Sequence, residues 1–282
     1  MATPEQPPAN YMSILQSLID NELYEIAEQK IKLWRLKIEI TNNKLVDVSN
    51  GTESWLNRFI TQDANMLSIK DKVRKLAPIE SPVLITGETG TGKELIAKAL
   101  HGNREGNFVA VNCGGLPEHL VESLLFGHMQ GSFTGASRNT KGDMMTAANG
   151  TLFLDELGEL PLLAQAKLLR AIQSKKIRRV GSDTEESISC RIVCATNRNI
   201  KKMVTEERFR VDLYARLSTF ELHLTPLRER ITDIQLILES MKGGKELLDN
   251  TGDDLLSVDI SLNVRSLEQY VERYNVLGEL PV

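Results

Sequence analysis

Cysteine, aromatic side chains, long apolar runs and surplus charge are all scarce in this sequence, and each scarcity removes a class of protein. Three cysteines (Cys113, Cys190, Cys194) in 282 residues are too few, and odd in number, for a disulfide scaffold, and none stands in a CxxC pair. They suit a reducing compartment, the cytoplasm. No apolar run nears the roughly 18 residues of a membrane helix, and the opening MATPEQPPAN has neither the basic nor the apolar part of a signal peptide. Neither export nor membrane insertion is expected. With 34 Lys plus Arg against 38 Asp plus Glu, the chain lacks the cationic excess of proteins that coat nucleic acid. Contact with DNA is therefore expected to be local or through a partner. Aromatics are only 5% of residues, yet 41% of the chain is hydrophobic, enough for roughly two compact units at about 150 residues each. His101, His119, His128 and His223 share no ligand-like spacing and read as ordinary surface or hydrogen-bonded residues.

Residues 11 to about 38 have a helical apolar period through Tyr11, Ile14, Leu15, Leu18, Leu23 and Ile26. The polar stretch NNKLVDVSNGTESW after it reads as a connection. From about residue 58 short apolar strands alternate with amphipathic helices. VLIT, FVAVN, TLFLD and RIVCAT are the strands; helices are expected over 93–101, 120–125 and 164–172. This is the grammar of an α/β protein whose parallel sheet is covered on both faces. Near residue 226 the strands stop, and helical patterns over 231–241 and 264–274 suggest a small helical appendage.

VLIT runs into Gly87-Glu88-Thr89-Gly90-Thr91-Gly92-Lys93, a GxxxxGK loop between a strand and a helix. Glycines let successive N–H groups turn onto an anion, the helix aims its positive end at it, and Lys93 reaches the terminal phosphates. Glu94 follows, where the general motif has Ser or Thr to give magnesium a hydroxyl. TLFL ends in Asp155-Glu156. Two acids at the C-terminal end of a strand suit a hydrolase, with Asp155 holding Mg²⁺ through water and Glu156 polarising the attacking water. The basic run Lys175, Lys176, Arg178 and Arg179 precedes GSDTEE, and the pair reads as a hairpin with a solvated face, contact with DNA or polymerase being the alternative.

Between the two motifs lies Gly131-Ser132-Phe133-Thr134-Gly135-Ala136. Nucleotide chemistry asks for no exposed phenylalanine among glycines. The segment resembles the GAFTGA loop of the AAA+ activators of sigma-54 RNA polymerase, the bacterial enhancer-binding proteins, with Ser132 the sole change. The resemblance runs from about 60 to about 234 through VLITGETGTGKELIAKALH, FVAVNCGGL, TLFLDELGELP, QAKLLRAIQ, CATNR, RFRVDLYARL and PLRERITDI, in order. That family commonly has an acid at the position of Glu94. The resemblance implies an AAA+ P-loop NTPase fold that binds ATP and Mg²⁺, with Asn112 restraining the glutamate until ATP is bound and Asn197 sensing the γ-phosphate. It implies that Arg210 and Arg216 enter a neighbour's site, that Arg265 of Asn263-Val264-Arg265 contacts nucleotide from a lid, and that the GSFTGA loop contacts sigma-54. A buried strand-edge amide at Asn112, and arginines that pair with Asp212 or face water, are the plain alternatives. Leu262 stands where the family has Gly, and the segment from 226 to 263 is short, so a trimmed or irregular lid is expected.

The expected organisation is a helical extension over 1–57, an AAA+ core over 58–226 and a shortened lid over 227–282. Neither a receiver or ligand-sensing domain in the first 57 residues nor a helix-turn-helix after the lid is expected. The expected function is ATP-driven remodelling of the sigma-54 polymerase holoenzyme by a ring of copies of this chain. An AAA+ ATPase with another remodelling role, or a non-enzymatic module that binds sigma-54 or other activators, are the alternatives.

Overall fold

The computed structural model describes residues 51–115, 117–133, 136–251 and 259–279. The helix expected in 11–38 lies outside them, as do Thr134 and Gly135. Five strands form the central sheet: β1 (Val83–Thr86), β2 (Phe108–Asn112), β3 (Thr151–Asp155), β4 (Arg191–Thr196) and β5 (Glu221–His223). Their order is β2-β3-β4-β1-β5, and every pairing is parallel. The period-two alternation of each strand divides its side chains between two apolar layers. Leu84, Val111, Leu152, Leu154, Ile192 and Cys194 pack on one face; Val83, Ile85, Ala110, Phe153, Val193 and Ala195 pack on the other. The helices Glu118–Phe126, Leu162–Ser174 and Val211–Leu217 cover the first face, while Ala64–Leu76 and Lys93–His101 cover the second.

Two departures from the sequence reading concern elements too short to show a period. Residues 51–58, expected as part of a connection, form a helix. Only Trp55 and Leu56 in it are strongly apolar, but Leu56 is fully buried and Trp55 stacks under the Arg58 and Lys98 cations at 4.5 and 4.8 Å. The edge strand β5 buries one side chain, Leu222, between two exposed ones.

Arg191 closes the base of the second layer. Its fully buried guanidinium donates through Nη1 to the carbonyls of Ala77 (3.0 Å) and Leu100 (2.7 Å), and through Nη2 to that of Leu76 (2.8 Å). It thus caps the C-terminal ends of two helices, where a cation is favoured. Burial pushes its pKa down to about 10.

The hairpin expected after the basic run is present, with Lys176–Arg178 antiparallel to Glu185–Ser187. Its cations are answered across the ribbon, Lys176 and Arg178 by Glu185 and Arg179 by Glu186. The C-terminal segment expected as a lid has its own apolar cluster, Leu227, Ile234, Ile237, Leu238, Leu247, Leu267 and Val271. Helices Thr232–Ser240, Gly244–Thr251 and Val264–Leu277 build it.

Candidate nucleotide site

The C-terminal ends of β1, β2, β3 and β4 lie side by side, which brings Gly87–Lys93, Asn112, Asp155-Glu156 and Asn197 to one edge of the sheet. Gly90 (φ 79°) and Gly92 (φ 100°) take left-handed conformations, and neither has room for a side chain. A Cβ on Gly90 would lie 1.9 Å from the Leu262 carbonyl oxygen, and one on Gly92 would lie 2.8 Å from the Phe59 ring. Lys93 curls over its own loop, donating from Nζ to the carbonyls of Gly87 (2.9 Å) and Glu88 (2.8 Å). Burial pushes its pKa down, opposed by the charges of Asp155 and Glu156. Thr91, fully buried, donates from Oγ1 to the Glu88 carbonyl at 2.8 Å and stiffens the turn.

Glu94 turns to Lys98, four residues along its helix, at 2.9 Å. Glu88 turns to the lid. Its carboxylate accepts both Arg228 Nη1 and Nη2 at 2.6 Å and Asn263 Nδ2 at 3.3 Å. Arg228, then Asn263, holds this carboxyl below the usual range despite some desolvation.

Asp155 and Glu156 follow β3 directly. Glu156 is left-handed (φ 53°, ψ 44°), and its N–H donates to Asp155 Oδ1 at 2.9 Å. Burial raises the Asp155 pKa, while that N–H and Lys93 act against the rise. Asn112 is level with Asp155 in the sheet, and its Oδ1 accepts the Gly114 N–H at 2.7 Å. A Cβ on Gly114 would lie 2.1 Å from Glu156 Oε2 and 3.1 Å from Asn112 Oδ1, so the glutamate and the asparagine share that glycine as their floor. Cys113 beside them is buried and its thiol pKa is pushed far up by desolvation, which removes it as a nucleophile. Asn197 donates from Nδ2 to Thr89 Oγ1 at 3.2 Å.

The lid reaches the same loop. Asn263 donates to the Thr89 carbonyl (2.9 Å) and accepts the Leu227 N–H (2.6 Å); Val264 N–H donates to the Gly90 carbonyl at 3.1 Å. Exposed Arg265 stands over Gly90, and its charge is among those that depress Lys93. Beneath them the buried Arg230–Asp233 pair joins three segments. Arg230 Nη1 meets Asp233 Oδ2 at 3.1 Å and Nη2 reaches the Thr91 carbonyl at 3.4 Å, while Asp233 accepts Thr61 Oγ1 (2.6 Å) and the Gln62 N–H (2.8 Å).

Arg210 and Arg216 are exposed and make no described contact with this chain's own phosphate loop. Arg210 holds Asp212 through two bonds of 3.1 and 2.7 Å, as one of the plain alternatives anticipated; Arg216 has no ion pair among the described residues. In the GSFTGA segment Phe133 is not the exposed tip expected. It is half-buried and meets the buried His128 ring edge-on at 5.0 Å. The turn closes by Gly131 N–H to the Ala136 carbonyl (2.9 Å) and Ala136 N–H to the Phe133 carbonyl (3.0 Å). Packing edge-on against another ring takes part of the apolar surface of Phe133 out of water.

The roles of Arg228, Asn263, Arg230 and Asp233 were not read from the sequence. The cue was their place in PLRERITDI and NVRSLE, but the contacts that tie them to the phosphate loop and to Thr61 and Gln62 span more than a hundred residues.

A family model described as Sigma-54 interaction domain matches residues 59–223. The response regulator protein PilR of Pseudomonas aeruginosa is 44% identical over 237 residues, covering 79% of this chain and 53% of that protein. The regulatory protein AtoC of Escherichia coli is 38% identical over 276 residues, 93% of this chain and 59% of its own. The formate hydrogenlyase transcriptional activator FhlA of the same organism is 40% identical over 267 residues, 90% and 38%. The chain spans about half the length of the curated relatives it matches. The structure of NtrX from Brucella abortus in complex with ADP aligns at TM-score 0.70 and 28% identity, covering 92% of this chain and 56% of that one. Its complex with ATP aligns at 0.70 and 27%, covering 92% and 57%.

Proposed function

The chain belongs to the sigma-54 interaction domain family, and from that premise we propose that it hydrolyses ATP and uses the turnover to remodel the sigma-54 RNA polymerase closed complex in the cytoplasm. Its fold is that of AAA+ P-loop NTPase domains. The observation that carries the reading is the convergence of phosphate loop, paired acids and two asparagines at one edge of the sheet. ATP and ADP bound to the related NtrX support the choice of nucleotide.

In this reading Gly87–Lys93 wraps the phosphates, and Lys93 exchanges the Gly87 and Glu88 carbonyls for phosphate oxygens. Asp155 suits a hard cation, since its half-buried carboxylate accepts only the Glu156 N–H among described residues. It would hold the Mg²⁺ that arrives with the nucleotide and neutralises phosphate charge. Glu156 accepts a proton from the attacking water as the water oxygen bonds the γ-phosphorus and the bond to the β-γ bridging oxygen breaks, giving ADP and phosphate. Asn112 holds the glutamate near Gly114 until then; Asn197 follows the γ-phosphate, and Arg265 neutralises phosphate charge from the lid. Glu88 and Glu94 serve this site by bracing the loop and its helix.

Arg210 or Arg216 of the next copy completes the site, so activity needs a closed ring. An exposed ion pair such as Arg210–Asp212 is weak and releases its guanidinium readily. The separate apolar cluster of the lid supports a division between core and lid near 226, whereas the helix 51–58 packs with the core. The GSFTGA turn is the sigma-54 contact, with Phe133 parked on His128 and released as the nucleotide state changes.

Thr134→Ala tests the partner. ATP turnover should stay within about twofold, while the complex with sigma-54 formed in an ATP transition-state analogue and open-complex formation are lost. Lost turnover with retained sigma-54 binding puts the loop in the active site; no change in either makes a different AAA+ remodelling role the better account.

A further inference from the structure

Gln165 is fully buried in the first turn of the Leu162–Ser174 helix. A buried amide is tolerated where its donors and acceptor are met, and here the partners come from two loops. Nε2 donates to the carbonyls of Leu160 (2.7 Å) and Arg208 (3.3 Å), and Oε1 accepts the Arg210 N–H (2.9 Å). Leu160 ends the short turn that begins at Glu156. Arg208 and Arg210 flank the buried Phe209 and lead into the Val211–Leu217 helix that carries Arg216. Arg210 is the N-cap residue of that helix and makes no side-chain cap bond, so the N–H held by Gln165 fixes where the helix starts.

We propose that Gln165 is a positioning residue that aims the arginine-bearing turn and helix, Arg208 to Leu217, at the nucleotide site of the neighbouring copy. The proposal rests on the reading that these arginines act in trans. Phe209 already anchors the turn by apolar burial; what an apolar anchor lacks is direction, and the two-point hold on either side of Phe209 supplies it. A side chain of equal length without the amide fills the space and loses the aim. Glutamate would set a carboxylate oxygen against two carbonyls unless it were protonated. The chemistry therefore calls for both a donor and an acceptor at this position.

The experiment uses full chains and mixing. Gln165→Met alone should lower kcat about 10- to 100-fold, the penalty of misplacing a catalytic group, with KM and the affinity for a fluorescent ATP analogue within about twofold. The decisive reading is which partner rescues it. A Glu156→Gln chain has intact arginines and no base, so at mixed interfaces it supplies the arginine that Gln165→Met misdirects, and activity returns. A chain with both Arg210→Ala and Arg216→Ala has no arginine to supply, so mixing it with Gln165→Met restores nothing. Rescue in the opposite pattern means Gln165 serves Glu156 instead and overturns the proposal, as does wild-type turnover of Gln165→Met. If Gln165→Met does not fold, Gln165→Glu is scored in the same mixtures. Its turnover relative to wild type should rise between pH 8 and pH 6 as the carboxyl regains its proton, and no rise overturns the proposal. The Glu156→Gln chain mixed with the arginine-less chain is the control. No rescue there overturns action in trans and this proposal with it, whereas rescue there beside a wild-type Gln165→Met overturns this proposal alone.

Discussion

Asp233→Ala removes one member of an ion pair whose side chains are 1% and 0% exposed. The guanidinium left behind keeps its bonds to the Thr225 carbonyl at 3.1 Å and the Thr91 carbonyl at 3.4 Å, but no anion. Stranding a buried charge costs about 3–5 kcal/mol. Thr61 and Gln62 also lose an acceptor, yet they lie near the surface and water replaces it at little cost. At about 2–4 °C per kcal/mol for a chain of this size, the melting midpoint should fall by roughly 6–20 °C. Scanning calorimetry, with a urea titration to confirm an unchanged slope, measures it. Adding Arg230→Met to Asp233→Ala removes the stranded charge and should recover more than half of the loss, because an apolar pair of similar volume often does as well as a buried ion pair. A single-variant loss under about 1 kcal/mol, or a double variant no better than the single, refutes the reasoning.

Lys93→Ala should abolish nucleotide binding, read by fluorescent-analogue titration, because it removes the cation seated on the Gly87 and Glu88 carbonyls. Unchanged affinity would falsify the phosphate-loop assignment. Glu156→Gln should bind ATP normally and turn it over at least about a hundredfold more slowly; normal turnover in a phosphate-release assay moves the base elsewhere. Arg216→Ala should bind ATP and lose hydrolysis, and mixing it with Glu156→Gln chains should restore activity. Absence of rescue in assembled rings counts against action across an interface.

What the sequence made legible is what is contiguous. The phosphate loop, the strand ending in two acids and the β-α alternation each occupy a handful of neighbouring residues, so a period or a motif reports them directly. Strands 83–86, 108–112, 151–155 and 191–196 fall where their apolar runs lie. The helix Gly51–Arg58 was hidden because two side chains do its packing, and β5 because one does. Glu88 meets Arg228 across 140 positions and Arg191 meets Leu76 across 115, distances over which a single sequence carries no periodic signal. Phe133 illustrates a different gap. Its glycine neighbours told of a loop, but whether the ring points outward or onto His128 depends on surface supplied by the chain before it.

The left-handed backbone of Glu156 has a consequence for any effort to make this protein hardier. An L-residue bearing a side chain gives up about 1–2 kcal/mol in that conformation, and glycine would relieve it, less about 0.5–1 kcal/mol for its greater freedom in the unfolded chain. A library of variants sorted only by survival at high temperature should therefore enrich glycine at position 156 and, round by round, discard the base that the proposed hydrolysis depends on. Durability and turnover are opposed at this one residue. An engineer must hold it fixed and look for heat tolerance elsewhere in the molecule.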